Sequence, residues 1–400
     1  MVSAQVTTQL ILPFREYLLA LFTSAVITFL LVGPVRVLAL KLGAVAWPRK
    51  RDVHATPTPR WGGLAMLGGV LAGVGMAYQL PALRLAFDSY EVLGVMAAAV
   101  LLSLVGALDD RYDLDALTKF AGQTTAAGVL VIFGVALSVF WVPWGGGGSG
   151  PISGSLLILG GDQSTLLTVL LTVALVNAMN FVDGLDGLAA GIGMIAAVAV
   201  GLFALGLVQR VGNDPTVYSP ALIAFVLAGA CLGFLPHNFN PARIFMGDSG
   251  SMLIGLLLAA ATMTASGRVS SISGASSTDL VGLAAPLVVL AAVIFVPTLD
   301  LLLAVVRRTR NGTSPFTPDK MHLHHRMLEI GHSHRRAVLL IYLWAAVLAF
   351  GAVALALIGA TPVVFWTTGF GLLVAVIASA VPRERRRRPA AAAIARGHAR

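Results

Sequence analysis

The chain has 400 residues, of which 57% are hydrophobic and only 11% charged, with a formal net charge of +9. Soluble domains carry roughly 25% charged residues, so the composition excludes a soluble globular protein and indicates a polytopic membrane protein. Nucleic acid is not expected as a partner, because the basic residues sort with the loops as membrane topology requires. The single cysteine, Cys231, excludes a disulfide framework within one chain.

A span needs about 20 mostly apolar residues. Eleven are predicted, at 17–39, 62–80, 91–108, 120–141, 164–182, 186–208, 218–236, 249–266, 280–306, 337–358 and 362–381. The first lacks a basic leader and a small-residue cleavage site, so no cleavable signal peptide is expected. All of the 27 lysines and arginines except Arg15, Arg84, Arg210 and Arg268 fall in alternate loops or the C-terminal tail. The positive-inside rule makes those loops cytoplasmic. The expected fold is therefore an all-α polytopic membrane protein with about eleven transmembrane helices, N-terminus outside and C-terminus cytoplasmic. Residues 1–382 form one membrane-embedded domain. Residues 383–400 are a basic cytoplasmic tail, expected to be disordered and drawn to anionic lipid.

In chain order, the first polar motif precedes the second span: Arg51-Asp-Val-His54-Ala-Thr-Pro-Thr-Pro-Arg60-Trp-Gly-Gly63. Proline and glycine set an irregular loop, and His54 and Arg60 are weak candidates for a phosphate. Asp109-Asp110-Arg-Tyr-Asp113-Leu-Asp115 closes the third span. Adjacent helical residues point about 100° apart, so Asp109 and Asp110 are expected to differ in role. Lys119 opens the fourth span, as a membrane anchor or a phosphate contact.

The most informative stretch is Asn177-Ala-Met-Asn180-Phe-Val-Asp183-Gly-Leu-Asp186-Gly187. Carboxamides and carboxylates beside hydrocarbon are costly and need a reason. Their oxygens suit a hard cation such as Mg²⁺, and a helix start there would attract phosphate. The simpler alternative is a tight turn capped by Asp186. Next comes His237-Asn238-Phe-Asn-Pro-Ala-Arg243-Ile-Phe245-Met-Gly-Asp248-Ser249-Gly-Ser251. Here Asp248 is either a metal ligand or, with Ser249, a plain helix cap, and Phe245 is a stacking platform or an interfacial aromatic. Asp300 lies inside the ninth span, where an acid is a functional candidate. The last inner loop carries Arg307-Arg308, His322-Leu-His324-His325-Arg326 and His332-Ser-His334-Arg335-Arg336. Without cysteines or regular spacing this is no convincing zinc site. Guanidinium groups grip phosphate oxygens, so a polyanionic substrate fits better.

Oxygen ligands for Mg²⁺, spare carboxylates and an arginine–histidine loop at one membrane face are equipment for phosphoryl transfer. No phosphate loop with lysine is present. A transporter would place its polar groups near the middle of several spans, whereas here they gather at one face.

These motifs resemble the polyprenyl-phosphate N-acetylhexosamine-1-phosphate transferase superfamily over nearly the whole chain. The resemblance rests on Thr56 to Gly63, Asp109-Asp110, Asn177 to Gly187, Phe245-Met-Gly-Asp248 and His322-Leu-His-His-Arg326. It implies transfer of a sugar-1-phosphate from a UDP-sugar to polyprenyl phosphate in the bilayer, with Mg²⁺ (or Mn²⁺) and release of UMP. By resemblance Asn180 and Asp248 are the metal ligands, and Asp109 and Asp110 lie near the lipid phosphate, with Asp109 the candidate base; direct attack and a covalent aspartyl intermediate are both compatible with the sequence. Asp183 and Asp186 organise metal and nucleotide, Lys119, Asn238 and Phe245 contact the nucleotide, and Arg308, His322, His324, His325 and Arg326 meet the pyrophosphate and sugar. The histidine loop is similar to the WecA-type pattern and lacks the three consecutive histidines of the MraY type. That favours UDP-N-acetylglucosamine over UDP-N-acetylmuramoyl-pentapeptide. Wording close to actinobacterial members points to decaprenyl phosphate and to a cell-wall linker such as that of arabinogalactan. A homodimer is compatible with the sequence.

Overall fold

A computed structural model describes residues 13–47, 57–142, 155–210, 217–269, 291, 309, 333–359 and 361–380. Ten of the eleven expected spans lie in these residues as helices; the expected span at 280–306 and Asp300 lie outside them.

Helix α1, Phe14–Leu42, is 29 residues long. It stops at Gly43, whose φ of 74° lets its N–H reach Ala39 O, a left-handed C-terminal cap that glycine adopts at little cost. Strand β1 (Val45–Ala46) then pairs antiparallel with β2 (Thr58–Pro59), Ala46 opposite Thr58. This small ribbon delivers the Pro-Arg-Trp-Gly-Gly loop to helix α2, Gly62–Gln79. After a 3₁₀ turn at Leu83–Phe87 come α3, Glu91–Tyr112, and α4, Ala116–Ile132. Asp115 caps α4 by accepting the Thr118 N–H at 2.6 Å, which leaves its carboxyl below the usual carboxylate range.

The expected fourth span, 120–141, is corrected here. Helix α4 ends at Ile132, Gly134 turns the chain at a φ of 87°, and strand β3 (Val139–Val142) pairs with β4 (Ser155–Ile158). Val139, Phe140, Trp141 and Val142 favour a pleated strand over a helix, and continuous hydropathy conceals that change of period. The all-α expectation therefore acquires two short ribbons.

The remaining described helices are α5 (Gly161–Val182), α6 (Leu188–Arg210), α7 (Tyr218–Asn238), α8 (Gly247–Val269), α9 (His334–Ile358) and α10 (Pro362–Ala380). Among the described residues nine helices are long and apolar enough to cross a membrane; α4, at 17 residues, is the shorter one.

Small residues decide which helices meet closely, because between apolar helices in lipid it is van der Waals contact that drives association. A Cβ on Gly229 or Gly233 of α7 would lie 2.2 or 2.1 Å from a carbonyl oxygen of α1. One on Gly255 of α8 would lie 2.6 Å from the backbone of Val176 in α5. Some polar side chains inside the bundle pair across helices, as Ser24 Oγ donates to Val226 O at 2.7 Å. Helices α7 and α8 consequently form the centre, and α1 and α10 keep most of their apolar surface exposed.

Candidate active site

Asp109, Asp110, Asp183 and Asp248 converge at one end of the bundle, where α3 ends, α8 begins and α5 turns into α6. Four backbone segments set this place. The first amides of α2, on Gly62 and Gly63, donate to Phe245 O (3.0 Å) and Met246 O (2.9 Å), and Phe245 N–H donates to Pro59 O at 2.9 Å. The stretch before Asp248 is thereby stitched to the loop carrying Arg60. Trp61, in a left-handed conformation at φ 77°, locks that loop to α3 by donating its indole N–H to Ala107 O at 2.9 Å. A Cβ on Gly63 would lie 2.1 Å from Gly250 N, and one on Gly106 would lie 2.5 Å from Ser249 N. Only glycine allows α2, α3 and α8 this approach.

Asp109 and Asp110 are both buried, at 3% and 6% exposure, and point to different partners. Asp109 Oδ2 lies 2.5 Å from Lys119 Nζ, and its Oδ1 accepts the Leu114 N–H at 2.8 Å. Lys119 Nζ also lies 3.2 Å from Asp248 Oδ2, so one ammonium bridges α3 and α8. Asp110 accepts the N–H of Asp248 (2.9 Å), the N–H of Ser249 (3.2 Å) and the Ser249 hydroxyl (3.0 Å). The cap that the sequence suggested at Asp248 and Ser249 themselves is thus supplied by Asp110.

From α5, Asn180 donates to Ser251 Oγ at 3.1 Å and lies close enough to Asp248 to favour its carboxylate form. Asn177 donates to Gln123 Oε1 at 2.7 Å, tying α5 to α4 behind the cluster. Gln123 and Ser251 were not singled out from sequence; a glutamine inside an apolar span was the available signal for the first. Asp183, at the end of α5, feels Asp248 and Asp110. Burial, with these two like charges, pushes its carboxyl up to about 8, against the pull of Arg60. Arg60, weak on sequence alone, is therefore brought electrostatically to the acids, since it acts on both Asp110 and Asp183.

Two expected residues sit differently. Asp186 Oδ2 accepts Asn240 Nδ2 (2.9 Å) and the Ala242 N–H (3.1 Å), so it braces the loop before α8 and does not cap a local turn. Asn238 is 2% exposed, with its oxygen taken by Gly187 N–H and its amide nitrogen by Ile244 O, both at 3.0 Å; it joins two loops behind the site. Phe245 is half-buried next to them, three residues before Asp248. Tyr342 of α9 bonds Gly187 O, a brace the motifs did not reveal. His54, Arg308, His322, His324, His325 and Arg326 lie outside the described residues.

The donor set fits a hard divalent cation. Asp109, Asp110, Asp183 and Asp248 interact electrostatically, and among the described residues Lys119 and Arg60 oppose them. The acids outnumber the cations, so burial and like charge leave Asp183 its proton when no metal ion is bound, and Asn180 and Asp248 supply the oxygen chemistry that Mg²⁺ and Mn²⁺ prefer. No cluster of three or more histidine, cysteine or acidic side chains is drawn together as a ready metal cage among the described residues.

The sequence pattern of glycosyl transferase family 4 matches residues 92–266, from the start of α3 through nearly all of α8. The chain is 58% identical to decaprenyl-phosphate N-acetylglucosaminephosphotransferase of Mycobacterium tuberculosis (strain CDC 1551 / Oshkosh), over 85% of this chain and 82% of the relative. The chain belongs to glycosyl transferase family 4. It is 54% identical to the Mycolicibacterium smegmatis protein of the same name, over 94% of this chain and 90% of that one. Undecaprenyl-phosphate alpha-N-acetylglucosaminyl 1-phosphate transferase of Escherichia coli (strain K12) is 31% identical over 82% and 80% of the two chains. Within the family these relatives place the chain with the WecA-type enzymes. The family match encloses every described acid of the cluster.

Proposed function

We propose that this protein transfers N-acetylglucosamine-1-phosphate from UDP-N-acetylglucosamine to decaprenyl phosphate, forming a lipid-linked pyrophosphoryl sugar and releasing UMP. The observation that carries the reading is the 58% identity to a decaprenyl-phosphate N-acetylglucosaminephosphotransferase over most of both chains. The acid cluster at the membrane face supplies the chemistry.

An oxygen of the acceptor phosphate attacks the phosphorus bonded to the sugar. A new P–O bond forms, and the bond to the UMP phosphate breaks, UMP leaving with the electron pair. Asp109 takes or orients the acceptor's proton, its other oxygen held by Leu114 N–H. Lys119, already on Asp109 and Asp248, offers positive charge where diphosphate oxygens gather, and Arg60 adds a second. Asn180 and Asp248 would hold Mg²⁺ or Mn²⁺, which when bound neutralises the charge that develops on the phosphates. Phe245 offers a half-buried aromatic face for the base. The undescribed residues Arg308, His322, His324, His325 and Arg326 complete the pyrophosphate and sugar contacts in this reading.

The charge asymmetry of the loops supports an active face on the cytoplasmic side of the plasma membrane, where UDP-sugars are made available. The product would begin a cell-wall polymer, such as the arabinogalactan linker.

The test is UMP release by purified protein with Mg²⁺ and decaprenyl phosphate, comparing UDP-N-acetylglucosamine with UDP-N-acetylmuramoyl-pentapeptide. Release with the first alone is expected. Release with the second alone would replace the proposal with a peptidoglycan reaction.

A further inference from the structure

We propose that Asp110 is a positioning residue: it holds the first turn of α8 so that Asp248 faces Asn180, and it does not touch substrate. The inference rests on the transferase reading and gives the two acids of the Asp109–Asp110 pair separate jobs.

The first amides of any α-helix have no partner within the helix. Most helices find one in a side chain just before the first turn. Helix α8 has none available locally, because Gly247 has no side chain and Met246 is apolar. The acceptor comes instead from α3, 138 residues away in sequence. Asp110 Oδ1 takes the Asp248 N–H at 2.9 Å, and Oδ2 takes the Ser249 N–H at 3.2 Å and the Ser249 hydroxyl at 3.0 Å. Both oxygens therefore point at the backbone that carries Asp248.

The glycines around this carboxylate are shaped to it. Gly247 adopts φ +70°, and a Cβ there would lie 2.2 Å from Asp110 Oδ2 and 2.4 Å from Oδ1. Gly106, one turn before Asp110 on α3, brings that helix against Ser249. Together they admit the carboxylate to the end of α8 and keep larger groups out. Asp109 contrasts with this arrangement. Its Oδ2 meets Lys119, which also meets Asp248 Oδ2, so it faces the side chains of the cluster. Every described hydrogen-bond partner of the Asp110 side chain belongs to the first turn of α8, whereas Asp109 shares a lysine ammonium with Asp248, so Asp110 is the acid committed to the helix rather than to the reacting groups. It is well placed to fix the angle of a neighbouring metal ligand. Groups that orient metal ligands this way typically cost about 10–100-fold in metal affinity when removed.

The test uses the full-length purified protein with Mn²⁺ as the bound probe, followed by its paramagnetic signal, in wild type, Asp110→Asn and Ser249→Ala. UMP release and metal-free thermal unfolding are measured alongside. Asp110→Asn keeps the size of the side chain but opposes a nitrogen to one of the donors. It is expected to weaken Mn²⁺ binding by about 10–100-fold, with turnover largely restored at saturating metal. Ser249→Ala, which removes one of the three bonds, is expected to shift the same affinity in the same direction by a smaller factor. Wild-type Mn²⁺ affinity in Asp110→Asn, with turnover lost at every metal concentration, would overturn the proposal and put Asp110 on the reacting atoms. A lowered unfolding temperature with unchanged Mn²⁺ affinity would also overturn it, leaving an ordinary cap. If Asp110→Asn fails to fold, Ser249→Ala decides: weaker Mn²⁺ binding supports the proposal and unchanged binding overturns it. If wild type releases no UMP from any UDP-sugar, the transferase reading fails, yet the Mn²⁺ titration still tests whether Asp110 sets Asp248.

Discussion

Two pairs of aspartates serve the same end of the molecule and are held in different ways. Asp109 and Asp110 lie in the last turn of α3, buried against α4 and α8, with Lys119 of α4 and the first turn of α8 as their main partners. Asp183 and Asp186 lie on the short connection between α5 and α6, half-exposed, and Asp186 is tied mainly to another loop through Asn240 and Ala242. The difference teaches how rigidity is distributed around a membrane-face site. Helix ends locked by glycine contacts set the geometry of the α3–α8 side, while the α5–α6 side is set by loop-to-loop hydrogen bonds that a substrate is better able to adjust.

The largest expected effect falls on the residue that both sides share. Asp248→Asn removes the charge of the proposed metal ligand while leaving its shape and its backbone bond to Asp110. UMP release should fall by more than the roughly 100-fold typical of an outer partner's loss, with insertion into the membrane unchanged. Near-normal turnover with the same Mg²⁺ dependence would remove Asp248 from the metal.

Gly106→Ala tests whether the α3–α8 side is as tight as its contacts suggest. The added Cβ would sit 2.5 Å from Ser249 N and 2.6 Å from its Cα, closer than side chains tolerate, so backbone must shift. Overpacking of this kind costs about 1–3 kcal/mol, read as a lowered unfolding temperature in detergent. A substitution as harmless as Gly128→Ala, where nothing lies within 4 Å, would show the junction to be looser than described.

The last test is a pH dependence on the α5–α6 side. Asp183 is raised to about 8 by burial and by Asp248 and Asp110, whereas an unfolded aspartate titrates near 3.9, so the folded state binds the extra proton between these values. Stability of the metal-free protein should therefore fall as pH rises from about 4 to about 8. Asp183→Asn should flatten that slope. A slope unchanged in Asp183→Asn would assign it to other groups.

Much of the architecture was legible in sequence because a bilayer imposes one length on every span. The described helices begin within three residues of most predicted starts, and the departures have local causes. The fourth span stopped at Gly134 because hydropathy does not distinguish a helix from the strand Val139–Val142. The site was legible through its costly residue types: Asp109, Asn180, Asp183 and Asp248 are brought together as hard-oxygen groups at one face. Arg60 was underrated because a lone arginine in a proline-rich loop carries no periodic signal; the β1–β2 ribbon and Trp61 are what carry it to the acids. Gln123 and Ser251 were passed over because each becomes a partner only through a helix distant in sequence.

Composition and the order of polar motifs by themselves determined that this is a polytopic membrane protein and which residues are candidates for a phosphoryl-transfer site, because apolar length and the expense of buried acids are local properties. Tertiary structure alone decided which partners each acid meets. Asp109 and Asp110 are neighbours in sequence and identical in chemistry. They part company because a helix turns them about 100° apart, one toward Lys119 and the other toward the amides of α8.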